Sequence, residues 1–239
     1  MQILQITDLH LYGNAGGSLR GVETDSSLRS VLEDAASAGE AVPGVATTGA
    51  PTSGPTARGG AASAPVEAFD YSAILVTGDL VQDDPSGYLR FKSLLGSQRK
   101  PVLCIPGNHD EPDAMRHSLR QEPFHYCGAH IIDDWHFVML DSYDPGHVGG
   151  RLTASELERL DAALTKSPAH ALVCLHHHPV AMGSRWLDTI GLVNADEFWR
   201  VIDAHPHVRG VVWGHVHQVY DGERNGVQLF ATPSTGAQF

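Results

Sequence analysis

Short apolar runs rich in branched residues recur along the chain and alternate with stretches of helical spacing. Each run has the length of a β-strand and is bounded by turn or polar residues. One of the helical stretches places Leu28, Val31, Leu32 and Ala35 on a common face. Strands that alternate with helices predict an α/β fold. The predicted strands are residues 3–7, 73–77, 102–106, 135–140, 171–175, 211–213 and 227–231.

Local signals predict where three of the helices begin. Thr153 and Glu156 have the spacing of a capping box, in which the threonine hydroxyl accepts a backbone N–H. Asn194 is predicted to cap a later helix. Asp84 followed by Pro85 predicts a cap and a first helical residue.

One segment departs from this pattern. Residues 36–66 are dominated by Ala, Gly, Pro, Ser and Thr and contain no aromatic residue. Such a composition buries too little apolar surface to offset its chain entropy, so we predict a disordered insertion there. An ordered lid or binding loop is the alternative, because long loops without secondary structure are often functional. The chain, residues 1–239, is otherwise expected to form one domain.

Composition restricts the partners and the compartment. A formal net charge of −12 argues against binding of a nucleic acid polymer, although a small phosphate substrate can still be held by local metal charge. The three cysteines form no C-x-x-C pair, which predicts reduced thiols and a cytoplasmic location. The N-terminus lacks the basic and apolar regions of a secretory signal, and no apolar run reaches the ~20 residues of a membrane span. We therefore expect a soluble protein without a membrane partner.

Groups that can bind metals follow the predicted strands directly. In open α/β sheets the ligand site lies beyond the carboxyl ends of the strands, so these groups can converge. Each group alone is a weak signal, since Gly and Asp are ordinary turn residues, but five strand ends of this kind make a chance arrangement improbable. The groups are Asp8-Leu9-His10, Gly78-Asp79, Gly107-Asn108-His109-Asp110, His176-His177-His178 and Gly214-His215-Val216-His217.

The types of side chain indicate which metals fit. Carboxylate, imidazole and amide oxygen without thiolate suit Mn, Fe, Zn or similar ions. A site for two metals needs a carboxylate that bridges them. Asp79 is the natural bridge because it has no adjacent histidine to share its role.

The series D-x-H, G-D, G-N-H-D, H-H-H-P and G-H-x-H resembles the calcineurin-like metallophosphoesterase superfamily. With the segments LRGVET and ATPSTGAQF, it is most similar to the bacterial class III 3′,5′-cyclic nucleotide phosphodiesterases. The likeness covers nearly the whole chain except residues 36–66. It implies a sandwich of two mixed β-sheets flanked by helices, with four layers in the order αββα.

The resemblance also implies roles for individual residues. Asp8, His10, Asp79 and His217 would surround one metal; Asp79, Asn108, a histidine of the triplet and His215 would hold the other. Iron or manganese is expected ahead of zinc. His109, which is next to a ligand, matches the family's general acid, and Asp110 either orients it or caps the turn. Substrate contacts are expected from His10, Asn108, His109, His176 and His217.

The histidine triplet leaves open which of its members binds the metal. Pro179 disfavours the helical region for His178, so the strand is predicted to continue through the triplet with His176 and His178 on one side. Related proteins often read His-His-Pro-Pro with the first histidine as ligand, which favours His176 over its rival His177. His178 would then face the substrate.

The implied reaction is hydrolysis of 3′,5′-cyclic AMP, or a related cyclic nucleotide, to the 5′-monophosphate. Attack by metal-bound hydroxide with His109 as general acid is the expected mechanism. A broader phosphodiesterase acting on glycerophosphodiesters, 2′,3′-cyclic nucleotides or aryl diesters is the alternative, and a metal-bound scaffold without catalysis is a third. A homodimer is compatible with the sequence. Asn194 and residues 185–188 could line the substrate pocket.

Overall fold

A computed structural model describes residues 1–37, 71–166 and 170–239. The first helix runs through Ser37, so the predicted insertion begins two residues too early at 36. The rest of that insertion lies outside the described residues, and both its disorder and the single-domain organisation stay predictions.

The helices and strands alternate along the chain as the apolar runs predict. All seven predicted strands are present, and the run at 211–213 is the end of a longer strand. In the described ranges the helices are α1 (Thr24–Ser37), α2 (Gly87–Leu95), α3 (Pro112–Ser118), α4 (Ala154–Thr165) and α5 (Ala195–Asp203). The strands are β1 (Ile3–Ile6), β2 (Ser18–Leu19), β3 (Val22–Glu23), β4 (Ala73–Val76), β5 (Val102–Cys104), β6 (Phe124–Tyr126), β7 (Gly128–Ile132), β8 (Trp135–Met139), β9 (His170–Cys174), β10 (Val208–Trp213), β11 (Tyr220–Arg224) and β12 (Val227–Ala231).

Two sheets carry the candidate site. The first has the order β1-β4-β5-β6, with every described pair parallel. The second has the order β11-β12-β10-β9-β8-β7 and is mixed, because β11 and β7 pair antiparallel with their neighbours. A separate hairpin joins β2 to β3.

The sheets pack face to face and are covered by helices on their outer sides. Leu75 and Leu103 of the first sheet share a buried cluster with Phe137 and Cys174 of the second. A second cluster lies between the first sheet and the helices α1, α2 and α3, and a third between the second sheet and α4 and α5. This arrangement confirms the predicted four-layer α/β class, although among the described strands only the second sheet is mixed and the first is parallel. Within the described part of the chain, no helix is both long and apolar enough to cross a bilayer.

The predicted helix starts have mixed outcomes. The hydroxyl of Thr153 accepts the Glu156 backbone N–H at 3.1 Å, which confirms the cap, while the Glu156 carboxylate accepts the Asp141 N–H instead of closing the box. Asn194 occupies the cap position of α5, but its side chain forms two hydrogen bonds with the backbone of Leu152. The predicted capping role of Asn194 is therefore wrong.

The start predicted from Asp84 is also displaced. Helix α2 begins at Gly87, and the Asp84 carboxylate accepts hydrogen bonds from the backbone N–H and hydroxyl of Ser86. These bonds form a turn before the helix, because an aspartate side chain can bond the backbone two residues ahead.

Candidate metal centre

The predicted ligands occupy tight turns at the carboxyl ends of strands. Asp8, His10, Asp79, His215 and His217 have φ of 52°, 48°, 51°, 68° and 50°, in the left-handed region that side chains other than glycine rarely adopt. Each such residue costs on the order of 1–3 kcal/mol, and residues of this kind cluster at functional sites. The turns direct these side chains from both sheets toward one place.

Asp8, His10 and His217 form the first group. The Asp8 carboxylate is buried and accepts hydrogen bonds from the Thr7 hydroxyl at 2.7 Å and from the His215 backbone N–H at 3.0 Å. His217 Nε2 lies 3.2 Å from Asp8 Oδ1 and 3.2 Å from His10 Nε2. His217 Nδ1 donates to the Ala237 carbonyl, so in the neutral ring Nε2 is unprotonated and faces the group.

Asp79 lies between the first group and a second one. Its Oδ2 is 3.8 Å from His10 Nε2 and 3.4 Å from His176 Nε2. His176 Nδ1 donates to the Thr77 carbonyl at 2.8 Å, and its buried Nε2 has no hydrogen-bond partner within the described residues. Asp79 thus lies between His10 and His176, and its role as a bridging ligand stays a prediction.

Two more predicted ligands lie beside Asp79 and His176: the His215 ring packs against that of His176, with centroids 5.0 Å apart, and Asn108 lines a cavity together with Asp79. His215 Nε2 donates to the Ile190 carbonyl at 3.0 Å, which leaves Nδ1 as its free nitrogen. Asn108 Oδ1 is buried and has no hydrogen-bond partner among the described residues. Buried polar atoms without partners are costly, and a bound cation would supply a partner for Asn108 Oδ1.

The charges of the site favour a cation. Burial alone would raise the pKa of Asp79, but the neighbouring His176 and His10 outweigh it and hold that pKa well below its usual range. Burial also opposes ionisation of Asp8. The neighbouring His217 and His176 favour its ionisation, and the pKa of Asp8 is lowered below its usual value. Burial lowers the pKa of His176, but the Asp79 carboxylate outweighs burial and raises that pKa to about 9. A metal ion can replace that proton, since ligands release protons when they bind metals.

Groups of three ligand atoms lie close enough to hold an ion. Asp8, His10 and His217 form one group, and Asp8, Asp79 and His176 another, with the ligand atoms of each within 4.8 Å of one another. The donors are carboxylate oxygens and imidazole nitrogens, which fit Mn, Fe or Zn. The residues that the sequence singled out therefore suit the metal chemistry predicted for them.

His177 and His178 differ from His176 in what they contact. Strand β9 ends at Cys174 and the triplet bends, so the predicted continuation of the strand is wrong. His177 lies near His215, but its Nδ1 is 2.8 Å from the Ser142 hydroxyl and its Nε2 is 3.1 Å from the Val148 carbonyl. Both ring nitrogens of His177 are thus occupied by protein groups.

The expectation that His178 faces the substrate is also wrong. His178 is buried, packs parallel to the His215 ring at 5.8 Å, and lines a different cavity with Asp188 and Gly191. The bend after β9 directs the His178 ring away from the cavity over the ligand groups.

Asp83 and Gln82 contact the His109 ring, and Asp110 takes the turn-capping role, the second of its two predicted roles. Its backbone N–H donates to Asp79 Oδ1 at 2.9 Å, and its ring Nδ1 lies 3.0 Å from Asp83 Oδ2 and 3.0 Å from Gln82 Nε2. Asp110 instead accepts hydrogen bonds from the backbone N–H groups of Leu80 and Gly107 and from the Tyr88 hydroxyl. Asp110 thus stabilises the turn, and Asp83, which the sequence did not single out, orients His109.

A cavity of about 240 Å³ opens over the two ligand groups. Trp186 lines it, whereas Asp188 and Asn194 do not, since Asp188 accepts the Met182 N–H and Asn194 bonds Leu152. Sequence reasoning missed several of its lining residues, because they belong to segments without a metal-binding pattern. The lining residues are His10, Leu19, Arg20, Asp79, Gln82, Asn108, His109, Val148, Trp186, Ile190, His215, His217 and Phe239.

Comparison with known proteins agrees with this geometry. The family model described as calcineurin-like phosphoesterase matches residues 1–219. The chain is 34% identical to the 3′,5′-cyclic adenosine monophosphate phosphodiesterase CpdA of Haemophilus influenzae, over 100% of this chain and 78% of that protein. It is 36% identical to the enzyme of the same description from Escherichia coli K12, with the same coverage of 100% and 78%.

A solved structure shows the same fold. The crystal structure of a dimetal phosphatase from Danio rerio aligns with a TM-score of 0.63 and 16% identity, over 98% of this chain and 87% of that chain. At this identity the likeness concerns the fold alone. The family match over residues 1–219 and the identity to the two phosphodiesterases lead to one conclusion: this chain belongs to the calcineurin-like phosphoesterase family and is a hydrolase of phosphate esters.

Proposed function

We propose that this chain hydrolyses 3′,5′-cyclic AMP, or a related cyclic nucleotide, to the 5′-monophosphate with two metal ions. The observation that carries the proposal is the central position of Asp79, 3.8 Å from His10 Nε2 and 3.4 Å from His176 Nε2, at the base of a cavity. The activity named for the relatives of Haemophilus influenzae and Escherichia coli supports the choice of substrate.

Asp79 would hold both ions. Asp8, His10 and His217 would complete the ligands of one, and Asn108, His176 and His215 those of the other. We propose iron or manganese as the metals, with zinc also compatible with these donors. Such ions would neutralise phosphoryl charge and lower the pKa of bound water from ~16 toward ~7.

The protein's own residues position the substrate. The phosphate would lie among the side chains of His10, Asn108, His109, His176 and His217. All of these except His176 line the cavity directly. The Asn108 amide also offers N–H donors toward phosphate oxygens. The buried location of the ligand groups strengthens each of these interactions, because the local dielectric is low.

His109 would donate a proton to the departing 3′ oxygen. In the protonated ring, Nδ1–H donates to Asp83 Oδ2 at 3.0 Å, and Nε2–H is then available to the leaving group. Opening a 3′,5′-cyclic diester releases an alkoxide, which is a poor leaving group unless it is protonated. Proton transfer of this kind typically contributes ~10²–10⁴-fold to the rate.

The test compares two leaving groups in the His109→Ala variant with manganese bound. For cyclic AMP we expect kcat to fall by ~10²–10⁴-fold while metal content is unchanged. For a p-nitrophenyl diester the loss should be much smaller, because p-nitrophenolate leaves without protonation. Equal losses for both substrates, or no loss for cyclic AMP, would contradict the role of His109.

The parent protein decides between the candidate functions in the same assay. Turnover of the aryl diester without turnover of cyclic AMP would favour the broader phosphodiesterase. A protein with both metals bound and no activity on either substrate would favour a scaffold. A homodimer and a cytoplasmic location stay predictions.

A further inference from the structure

Trp186 stands half-exposed at the mouth of the cavity over the ligand groups. Its exposed fraction is 51%, whereas Trp199 and Trp213 are 6% and 0% exposed in the core. Burying a tryptophan stabilises a protein strongly, so one left open beside an active site is a candidate contact for a ligand.

The segment that carries Trp186 is held firmly. Leu187 is buried in the hydrophobic cluster between the second sheet and helices α4 and α5, and a short 3-10 turn spans Leu187–Thr189. The Thr189 hydroxyl donates to the Trp186 carbonyl at 2.7 Å, and the Asp188 N–H donates to the Ser184 carbonyl at 2.8 Å. The ring is therefore presented on an ordered turn, which lowers the entropy cost of binding.

Phe239 links this ring to the ligand groups. Its ring stacks on His217, with centroids 4.1 Å apart and an angle of 17°, and meets Trp186 edge to face at 4.9 Å. Phe239 also lines the same cavity. The rings of Phe239 and Trp186 thus form an aromatic wall that extends outward from His217, a proposed metal ligand.

Arg20 completes the wall from the tip of the β2–β3 hairpin. Arg20 and Gly21 have φ of 51° and 84°, as a tight hairpin turn requires, although asparagine, aspartate or glycine is usually preferred at the first position. The guanidinium lies 5.0 Å from the centre of the Phe239 ring, and no carboxylate of the described residues forms an ion pair with it. A strained arginine at the cavity edge agrees with a role in binding.

We infer that Trp186, Phe239 and Arg20 form a platform that stacks the base of a purine cyclic nucleotide. The inference rests on the proposed function, because a phosphate at the ligand groups would direct the rest of the substrate toward this wall. The Trp186 ring would stack on a face of the base, while Phe239, which is nearly perpendicular to Trp186 and stacks on His217, would border the base together with Arg20. The platform therefore favours purines over pyrimidines by their larger faces, and separates adenine from guanine little.

The test measures kcat and KM of the manganese-loaded protein and its Trp186→Ala variant on three substrates. These are cyclic AMP, cyclic CMP and methyl ribofuranoside 3′,5′-cyclic phosphate, which keeps the reacting ring and lacks a base. Loss of base stacking should lower kcat/KM for cyclic AMP by about 5- to 100-fold, mainly through KM. The base-free substrate should be hydrolysed equally by both proteins.

Two further variants serve as controls. Trp186→Phe should restore most of the activity on cyclic AMP, because phenylalanine keeps a stacking face. Phe230→Ala removes another partly exposed aromatic ring, 39% exposed and outside the cavity lining, and should leave all three substrates unaffected.

Equilibrium binding gives a second readout. In a zinc-loaded His109→Ala background that slows turnover, cyclic AMP should quench tryptophan fluorescence. Adding Trp186→Phe should remove most of that quenching while binding persists. Quenching that is unchanged by the substitution would overturn the stacking contact.

The kinetic outcomes separate the two levels of the proposal. Three results would overturn the platform and leave the proposed function standing. In the Trp186→Ala variant, these are an equal loss of kcat/KM on cyclic AMP and on the base-free substrate, or no loss on cyclic AMP. In the parent, it is hydrolysis of cyclic CMP as efficient as that of cyclic AMP. A metal-loaded parent that hydrolyses none of the three would refute the proposed function, and the platform would fall with it.

Discussion

Two adjacent buried histidines offer a sharp test of how the site is built. His176 has a buried Nε2 without a hydrogen-bond partner among the described residues, 3.4 Å from Asp79 Oδ2. His177 directs its two ring nitrogens to the Ser142 hydroxyl and the Val148 carbonyl. We therefore expect His176→Ala to remove metal from the site and His177→Ala to leave the metal bound.

The contacts set the size of each effect. Replacing residues that merely orient a metal ligand costs 10- to 100-fold in metal affinity, so loss of a ligand should cost at least ~100-fold. His177→Ala removes two buried hydrogen bonds and leaves a cavity, which should lower the free energy of unfolding by about 2–4 kcal/mol. For a chain of this length that corresponds to about 4–16 °C in Tm.

The assay is the ratio of metal to protein after equilibration with manganese and dialysis. The parent and His177→Ala should each retain two ions, and His176→Ala at most one. Stability alone does not separate the variants, since both lose buried contacts, so circular dichroism should first show that both are folded. Retention of metal by His176→Ala with loss from His177→Ala would refute the reasoning and identify His177 as the ligand.

Two other predictions concern carboxylates that the structure pairs with basic side chains. Asp83→Asn should lower kcat on cyclic AMP by about 2- to 10-fold with KM unchanged, because the His109 ring loses a hydrogen-bond partner that orients it; an unchanged kcat would contradict this. Asp25 accepts hydrogen bonds from Arg90 of α2 and from Arg29, and the Arg90 bond, against the opposing effect of burial, lowers its pKa. The ionised Asp25 carboxylate therefore stabilises the fold at pH values above its usual pKa, and this stabilisation is lost as the pH falls through the lowered pKa. Asp25→Asn should lower the free energy of unfolding in urea by about 1.5–3 kcal/mol at pH 7, and by progressively less below pH 4. A cost that does not change with pH would contradict the ion-pair explanation.

Much of the fold follows from the sequence because the central strands are buried on both faces. Residues 73–76 are buried throughout and read as one apolar run. The strands β7 and β11 escaped prediction because they are edge strands, in which partly buried and exposed residues alternate. A short edge strand has a weak pattern, and its place in the sheet depends on long-range pairing.

The candidate site could also be predicted from the sequence only in part. The strand ends Asp8, Asp79 and His217 could be predicted to converge, because parallel strands bring their carboxyl ends to one edge. The orientation of His178 could not, since a bend after β9 overrides the alternation of a strand. The pairing of Asp83 with His109 joins two loops, and no local spacing signals it.

The most direct measurement is the product formed from 3′,5′-cyclic AMP by protein that carries two manganese ions per chain, identified by ³¹P NMR. The proposed function predicts steady conversion to 5′-AMP, which stops when the metals are removed by a chelator and resumes when manganese is restored. Formation of 3′-AMP, or no conversion at full metal occupancy, would contradict it.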